Sequence, residues 1–445
     1  MKNRILTWIE ILVLTVIAVR PSLDAMGGWP AITFGSAGPL SLNPAGVASL
    51  LMLALGFAWL LLSAPGERAA ALRHPAVLLF GAWLILLIPW AVVPVYLHGA
   101  SRLASLREWV RLFSLLPLFV ILLNLSARGN ANRILAALFL SLIVPALTAL
   151  YQIAFHEGML VQKAHRIQST FPHPNPFSFY LVMMIGLAYW KCRWSERRTG
   201  WILLLLLSLG LLISTFSFTG AGMLGVLILM IAIGESRRLR LTILSSLILF
   251  ALVFVATPTG RQRIRTITQW DNLDEIERTG RETSSMVWRL LNWRFLIRTW
   301  KKSPWAGYGL DSSPIVNPNR AYQGTGPGQE PHNDYIRFLI DAGVIGLFFY
   351  LIWLAGIGLL LMRAYRQANA PPVRGFIWIA AALYAAWLAG SANDNLIIAT
   401  AYQYCLWAVF AAALGWPAAA HPTGGHCEEP NAAVNRRNAA PDAPA

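Results

Sequence analysis

Three short stretches of this chain hold the residue types that could do chemistry. Glu330-Pro331-His332-Asn333-Asp334-Tyr335 runs directly into an apolar segment. A helix starting there would present unpaired N–H groups and its positive dipole end to the preceding loop. That geometry suits a phosphate, and imidazole at its rim is the side chain best able to exchange protons near neutral pH. Upstream, Glu282–Lys302 reads as a helix with Thr283 and Ser284 as candidate N-caps. Within it Arg289, Trp293 and Trp300 recur at offsets of four and eleven, near one face. Arg294, Arg298, Lys301 and Lys302 fit an interfacial helix with snorkelling cations, whereas Arg289 lies among Trp and Leu. The third stretch is Arg166 to Pro176, in which Asn175-Pro176 reads as an N-cap followed by the first helical residue. His165 and His173 lie near Arg166, but their spacing with acidic residues forms no metal signature.

The elements that must position these residues follow from composition. Of 445 residues, 56% are hydrophobic and 13% charged, and mean hydropathy is +0.54. Soluble domains carry roughly 25% charged residues, so a cytosolic enzyme, a nucleic-acid-binding protein and a secreted disulfide scaffold are excluded. The 19 Trp and 12 Tyr fit aromatic belts at two membrane–water interfaces. The three cysteines, Cys192, Cys405 and Cys427, form no C-x-x-C pair.

The reading is an all-α, polytopic integral membrane protein with about twelve transmembrane helices. They are expected at 5–20, 46–63, 76–96, 108–125, 133–155, 176–191, 200–215, 220–234, 241–257, 335–361, 375–391 and 397–416. With the N-terminus inside, the short inner segments hold sixteen Lys and Arg. The short outer ones hold only Arg20, Arg102, Arg107, Arg111, Lys163 and Arg166. The net charge of +16 is thereby explained by orientation, with both termini cytoplasmic, rather than by nucleic acid. Four parts result: 1–257 with nine helices, a large outer loop at 258–334 with its amphipathic helix, 335–416 with three helices, and a disordered tail at 417–445. The long loop is the expected active surface.

Taken in order, Arg289…Trp293, Pro304-Trp305-Ala306-Gly307-Tyr308-Gly309, His332-Asn333-Asp334-Tyr335 and Asp341-Ala342-Gly343-Val344-Ile345-Gly346-Leu347 resemble the O-antigen ligase/polymerase superfamily. Arg166 to Asn175 is similar to that family's earlier outer-loop motif. The matched stretches cover roughly a quarter of the chain. Many members carry a Ser-Arg pair at the outer end of a middle span, where this chain has Ser217-Phe218-Thr219-Gly220.

The resemblance implies transfer of a glycan from undecaprenyl pyrophosphate on the periplasmic face of the bacterial inner membrane. The acceptor it implies is lipid A-core, completing lipopolysaccharide, with no nucleotide, metal or other cofactor. It makes His332 the essential histidine and general base, and Arg166 and Arg289 the diphosphate-binding arginines; Asn333, Trp293 and Asn175 are further candidates for substrate contact. Membrane lipids are the remaining partners. An O-antigen polymerase is disfavoured because neither Arg166 nor Arg289 begins an Arg-x₁₀-Gly motif: Phe177 and Trp300 stand eleven residues on. A protein O-oligosaccharyltransferase is a further relative. A lipid-linked sugar transporter or flippase is the reading from another class, disfavoured because polar residues gather at the outer helix ends rather than at the midplane.

Overall fold

A computed structural model describes residues 2–24, 32–33, 41–42, 44–92, 102–161, 164–256, 261, 274, 285–318 and 330–419. Eighteen α-helices, a π-helical turn at Ser126–Asn130 and two antiparallel strand pairs make up the regular structure of the described residues. The first half contains α1 (Lys2–Leu23), β1 (Ile32–Thr33), β2 (Ser41–Leu42), α2 (Pro44–Leu62), α3 (Pro65–Leu72), α4 (Pro75–Leu86) and α5 (Ile88–Val92). Then come α6 (Arg102–Phe113), α7 (Leu115–Leu125), α8 (Ala131–Leu140), α9 (Ile143–Ala154), β3 (Met159–Val161) and β4 (Ala164–Arg166). After them run α10 (Pro174–Trp194), α11 (Arg198–Ser214), α12 (Phe218–Gly234) and α13 (Arg237–Ala256). The last are α14 (Ser285–Trp300), α15 (Ser313–Val316), α16 (Asp334–Gln367), α17 (Pro371–Ser391) and α18 (Thr400–Ala419). Prolines at the first turn of α3, α4, α10 and α17 mark helix starts, where a missing N–H leaves no hydrogen bond unmade.

Five of these stretches are long and apolar enough to cross a membrane: Lys2–Leu23, Pro75–Val92, Ala104–Ala154, Asp334–Gln367 and Pro371–Ser391. Gly46–Leu62, Arg198–Ser214 and Phe218–Gly234 are shorter apolar helices. The 104–154 stretch would reach far beyond a ~30 Å hydrocarbon core if straight. It is broken at Arg128-Gly129, where Gly129 takes φ +80°. Apolar side chains such as Phe57, Leu78, Ile85, Leu147 and Leu203 remain exposed on these helices, as expected for a surface that meets lipid.

The tryptophans correct the expectation of interfacial belts. Trp59, Trp387 and Trp407 are among the largest fully buried side chains, and Trp83 stacks on Trp353 with ring centroids 4.1 Å apart. Large rings fill the space between helices efficiently, so core packing takes much of what composition alone assigns to the interface. α18 lies at the centre: residues 401–414 are all buried, against α1, α7, α8, α10, α16 and α17.

The Pro304–Gly309 turn and the middle of α16 are built for one another. Gly343 breaks α16 at φ +66°, and Gly307 takes φ +64°. A Cβ on Gly343 would lie 2.2 Å from the Trp305 carbonyl oxygen, and one on Gly307 2.5 Å from that of Ile340. Backbone bonds from Tyr308 N to Ile340 O (3.0 Å), Gly309 N to Asp341 O (2.7 Å) and Val344 N to Pro304 O (2.9 Å) lock the two segments. The expected span at 335–361 is thus two helical pieces, with the first docked to the loop. The acidic residues Asp311 and Asp341, scattered in sequence, converge on buried Arg337. Its guanidinium meets Asp311 at 2.5 Å, Glu330 at 2.6 Å, Glu108 at 3.5 Å and Asp341 at 3.6 Å. Thr283, Ser284 and the tail beyond residue 419 lie outside the described residues.

Candidate active site

Residues from four distant parts of the chain meet at the buried carboxylate of Asp394, in the turn between α17 and α18. The expected N-cap of α10 moves two residues earlier than the Asn175-Pro176 spacing suggests. His173 is the cap, its Nδ1 accepting from the Asn175 amide at 3.1 Å, and Pro174 takes the first turn. Either Pro-containing start is sterically sound, but only this one frees the Asn175 side chain. Asn175 Nδ2 donates to Asp394 Oδ2 at 2.5 Å, and its Oδ1 accepts from Arg166 Nη2 and Ser217 Oγ, both at 3.1 Å. Burial first, then the Arg166 charge, push the His173 pKa down to about 4, which keeps its nitrogen a neutral acceptor.

Arg166 lies on β4, held in register by the Met159–Arg166 pair, so this candidate sits on a strand within an otherwise helical fold. Its Nε donates to the Thr215 carbonyl at 2.8 Å. Arg166 thus brings a guanidinium, through Thr215 and Asn175, to the Ser217-Phe218-Thr219-Gly220 turn, which has no Arg of its own.

α14 supplies Arg289, 8% exposed and therefore not a snorkelling cation; its Nη2 is 3.8 Å from Asp394 Oδ2. The same helix fixes the backbone just before His332. Asn292 Nδ2 donates to the Glu330 carbonyl (3.1 Å), Trp293 Nε1 to the Pro331 carbonyl (2.7 Å), and the Trp288 ring stands edge-on to the imidazole at 5.5 Å. Trp293, expected as a substrate contact, spends its N–H on this anchoring. His332 adopts φ +51°, a left-handed conformation that is uncommon for a side-chain-bearing residue and persists where its surroundings fix it.

His332 Nδ1 lies 2.9 Å from Asp394 Oδ1. Burial works to raise the Asp394 pKa, but the His332 hydrogen bond and charge and the Arg289 charge outweigh it and hold the carboxyl below its ordinary range. An ionised carboxylate at Nδ1 favours the tautomer with the proton there, leaving the Nε2 lone pair to accept another. Asn333 is the N-cap of α16: its Oδ1 accepts from Ile336 N at 3.0 Å and its Nδ2 donates to Ala392 O at 2.8 Å. The helix start is occupied by its own cap rather than laid open to a ligand.

A cavity of about 390 Å³ opens beside this cluster, with His173, Asn175, Glu330, His332 and Asp394 in its lining. Asp394 is the principal residue that motif reading missed. Its signal was present in Ser391-Ala392-Asn393-Asp394-Asn395, a run of polar residues between two apolar helices, but nothing local pairs it with His332. Among the described residues no group of three or more His, Cys, Asp or Glu side chains could together hold a metal ion.

No curated protein matches the chain. Residues 202–351, a third of the chain reaching from α11 into α16 and including Arg289, Trp293, His332 and Asn333, match the family model described as O-Antigen ligase. That match supports the O-antigen ligase/polymerase superfamily, whose motifs the sequence resembles.

Proposed function

We propose that this protein transfers O-antigen polysaccharide from undecaprenyl pyrophosphate to a sugar hydroxyl of lipid A-core, at the periplasmic face of the inner membrane, without a metal. In this reading the chain crosses the membrane about twelve times, with both termini cytoplasmic and the 258–334 segment outside. The observation that carries the reading is the convergence of His332, Asp394, Arg289, Asn175 and Arg166 beside one cavity.

The donor is already activated, so no nucleotide is required. His332 Nε2 takes the proton of the acceptor hydroxyl as its oxygen attacks the anomeric carbon. The bond from that carbon to the pyrophosphate oxygen breaks, and the electron pair leaves with the diphosphate. Asp394 stabilises the imidazolium that forms. Arg166 and Arg289 offer planar donor forks to the departing diphosphate. General-base assistance of this kind is worth roughly 10²–10⁴-fold in rate.

The test uses purified protein, undecaprenyl-pyrophosphate-linked glycan and lipid A-core, with chelator and without nucleotide. Transfer to lipid A-core that disappears in His332→Ala supports the ligase. Longer lipid-linked glycans formed without acceptor would make the same site a polymerase. No turnover in either assay would sink the ligase and polymerase readings.

A further inference from the structure

The cavity beside His332 has a second polar feature that the mechanism leaves idle. Arg20, near the end of α1, and Asp24 also line it. Arg20 is 1% exposed, its Nη1 donates to Asp24 Oδ1 at 2.7 Å, and its guanidinium lies 5.8 Å from the Tyr404 ring centroid. Its Nε has no hydrogen-bond partner among the described residues. Ionisable residues inside a membrane protein are costly and tend to mark substrate pathways, so this pair calls for a role beyond packing. Asp24 keeps 17% of its side chain exposed. The end of α1 is fixed to the Arg166 arm, since Thr170 Oγ1 donates to the Pro21 carbonyl at 2.6 Å.

The chemistry here differs from that at Asp394. Arg166 and Arg289 outnumber the single carboxylate between them, which suits an anion. Arg20 and Asp24 cancel, which does not. A neutral pair instead offers a strong acceptor oxygen, and Phe171, Phe179 and Tyr402 supply apolar ring surface in the same lining. A few fixed polar groups set among aromatic side chains are what orient a small polar ligand, and a sugar ring presents both hydroxyls and an apolar C–H face.

We propose that Arg20 and Asp24 form a sugar-binding subsite, in which Asp24 accepts hydrogen bonds from ring hydroxyls and Arg20 positions its carboxylate. The assignment rests on the glycosyl-transfer reading. Two rings enter the cavity in that reaction, the donor's first sugar and the acceptor sugar, and both carry the hydroxyls this pair recognises.

The test is steady-state kinetics of Asp24→Ala and Asp24→Asn, varying the undecaprenyl-linked glycan and lipid A-core one at a time, with thermal unfolding recorded in parallel. For Asp24→Ala we expect KM to rise roughly 10- to 100-fold for one lipid, the loss expected for a hydrogen bond to a charged group. The KM of the other lipid and kcat should stay within a few-fold. Asp24→Asn keeps the shape and one acceptor oxygen and should show a smaller rise in the same KM, which also serves if the alanine variant does not fold. A rise confined to the donor assigns the subsite to the donor sugar, and one confined to lipid A-core assigns it to the acceptor. Unchanged KM for both, with His332-dependent transfer intact, overturns the subsite and leaves the transferase reading standing. A fall in kcat with loss of thermal stability in Asp24→Asn overturns it in favour of a structural ion pair. Failure of the unmodified protein to transfer at all removes both.

Discussion

Two charge clusters meet the chain five residues apart around the start of α16, one at His332 and one at Arg337, and they are opposites. Around Arg337, four carboxylates (Glu108, Asp311, Glu330 and Asp341) crowd one guanidinium, and a second, Arg111, pairs with Glu108 at 2.5 Å, so carboxylates outnumber cations four to two. The cations are oversubscribed: burial pushes the Asp311 pKa up to about 6 despite Arg337 and Arg111, with Glu108 and Glu330 adding to the rise. Around Asp394, one carboxylate is shared by His332, Arg289 and Asn175, with Arg166 one hydrogen bond further out. The first cluster ties the 304–318 turn, Glu330 and α6 together and has no positive charge to spare for an anion. The second retains positive charge and borders a cavity. Buried arginine alone therefore does not single out the proposed substrate site; the surplus of positive charge beside a cavity is what sets that cluster apart. Glu330 touches both clusters, accepting from Arg337 at 2.6 Å and from Asn395 Nδ2 at 3.1 Å, so the structural cluster holds the wall of the functional one.

The comparison is broken or sharpened most strongly at His332. His332→Ala should cut turnover roughly 10²–10⁴-fold while donor binding and the unfolding midpoint survive. Loss of the folded protein instead would turn the functional cluster into a structural one. Arg337→Met should do what His332→Ala does not. Removing one partner of a buried ionic group costs about 3–5 kcal/mol, which a lowered midpoint in detergent would register; an unshifted midpoint would contradict the structural assignment.

Arg289→Lys and Arg166→Lys should restore only part of the activity and donor affinity lost in the alanine variants, because a lysine offers no planar fork. Full activity with lysine would count against two-pronged phosphate contact. The smallest effect concerns His173. Its pKa in the folded protein, about 4, lies below the ordinary value near 6.5, so the unfolded chain takes up the proton first. Stability is therefore complete above about pH 6.5 and is lost progressively toward pH 4. His173→Asn keeps a capping acceptor without titrating, and should flatten that part of a stability profile; an unchanged profile would remove His173 as its source.

Local signals in the sequence carried a good part of this. The apolar runs expected at 5–20, 46–63, 176–191 and 375–391 fall on helices α1, α2, α10 and α17, because a long unbroken apolar run is a local property of the chain. Arg289 stood out because a cation among Trp and Leu is costly unless paired, and it proved to be buried. The Pro304–Gly309 and Asp341–Leu347 motifs were visible as motifs, yet their mutual locking was not, because it depends on two left-handed glycines meeting backbone to backbone. Asn175 was misplaced as a cap because a capping histidine two residues earlier has no distinctive spacing.

The sequence by itself determined that the chain is helical and membrane-embedded, since 56% hydrophobic residues in long runs leave too little polar surface for water. It also singled out His332, Arg289 and Arg166, through the order of the motifs that carry them and their resemblance to a known superfamily. Only the tertiary structure decided what those groups do to one another. Asp394 reaches His332 across 62 residues and Asn175 across 219. Arg337, which reads like any helical arginine, becomes the centre of a carboxylate cluster once α6, the turn after α14 and Glu330 close around it. Charge is written in each residue, but the sign of the surplus at a site is a sum over neighbours, and the neighbours are set by packing.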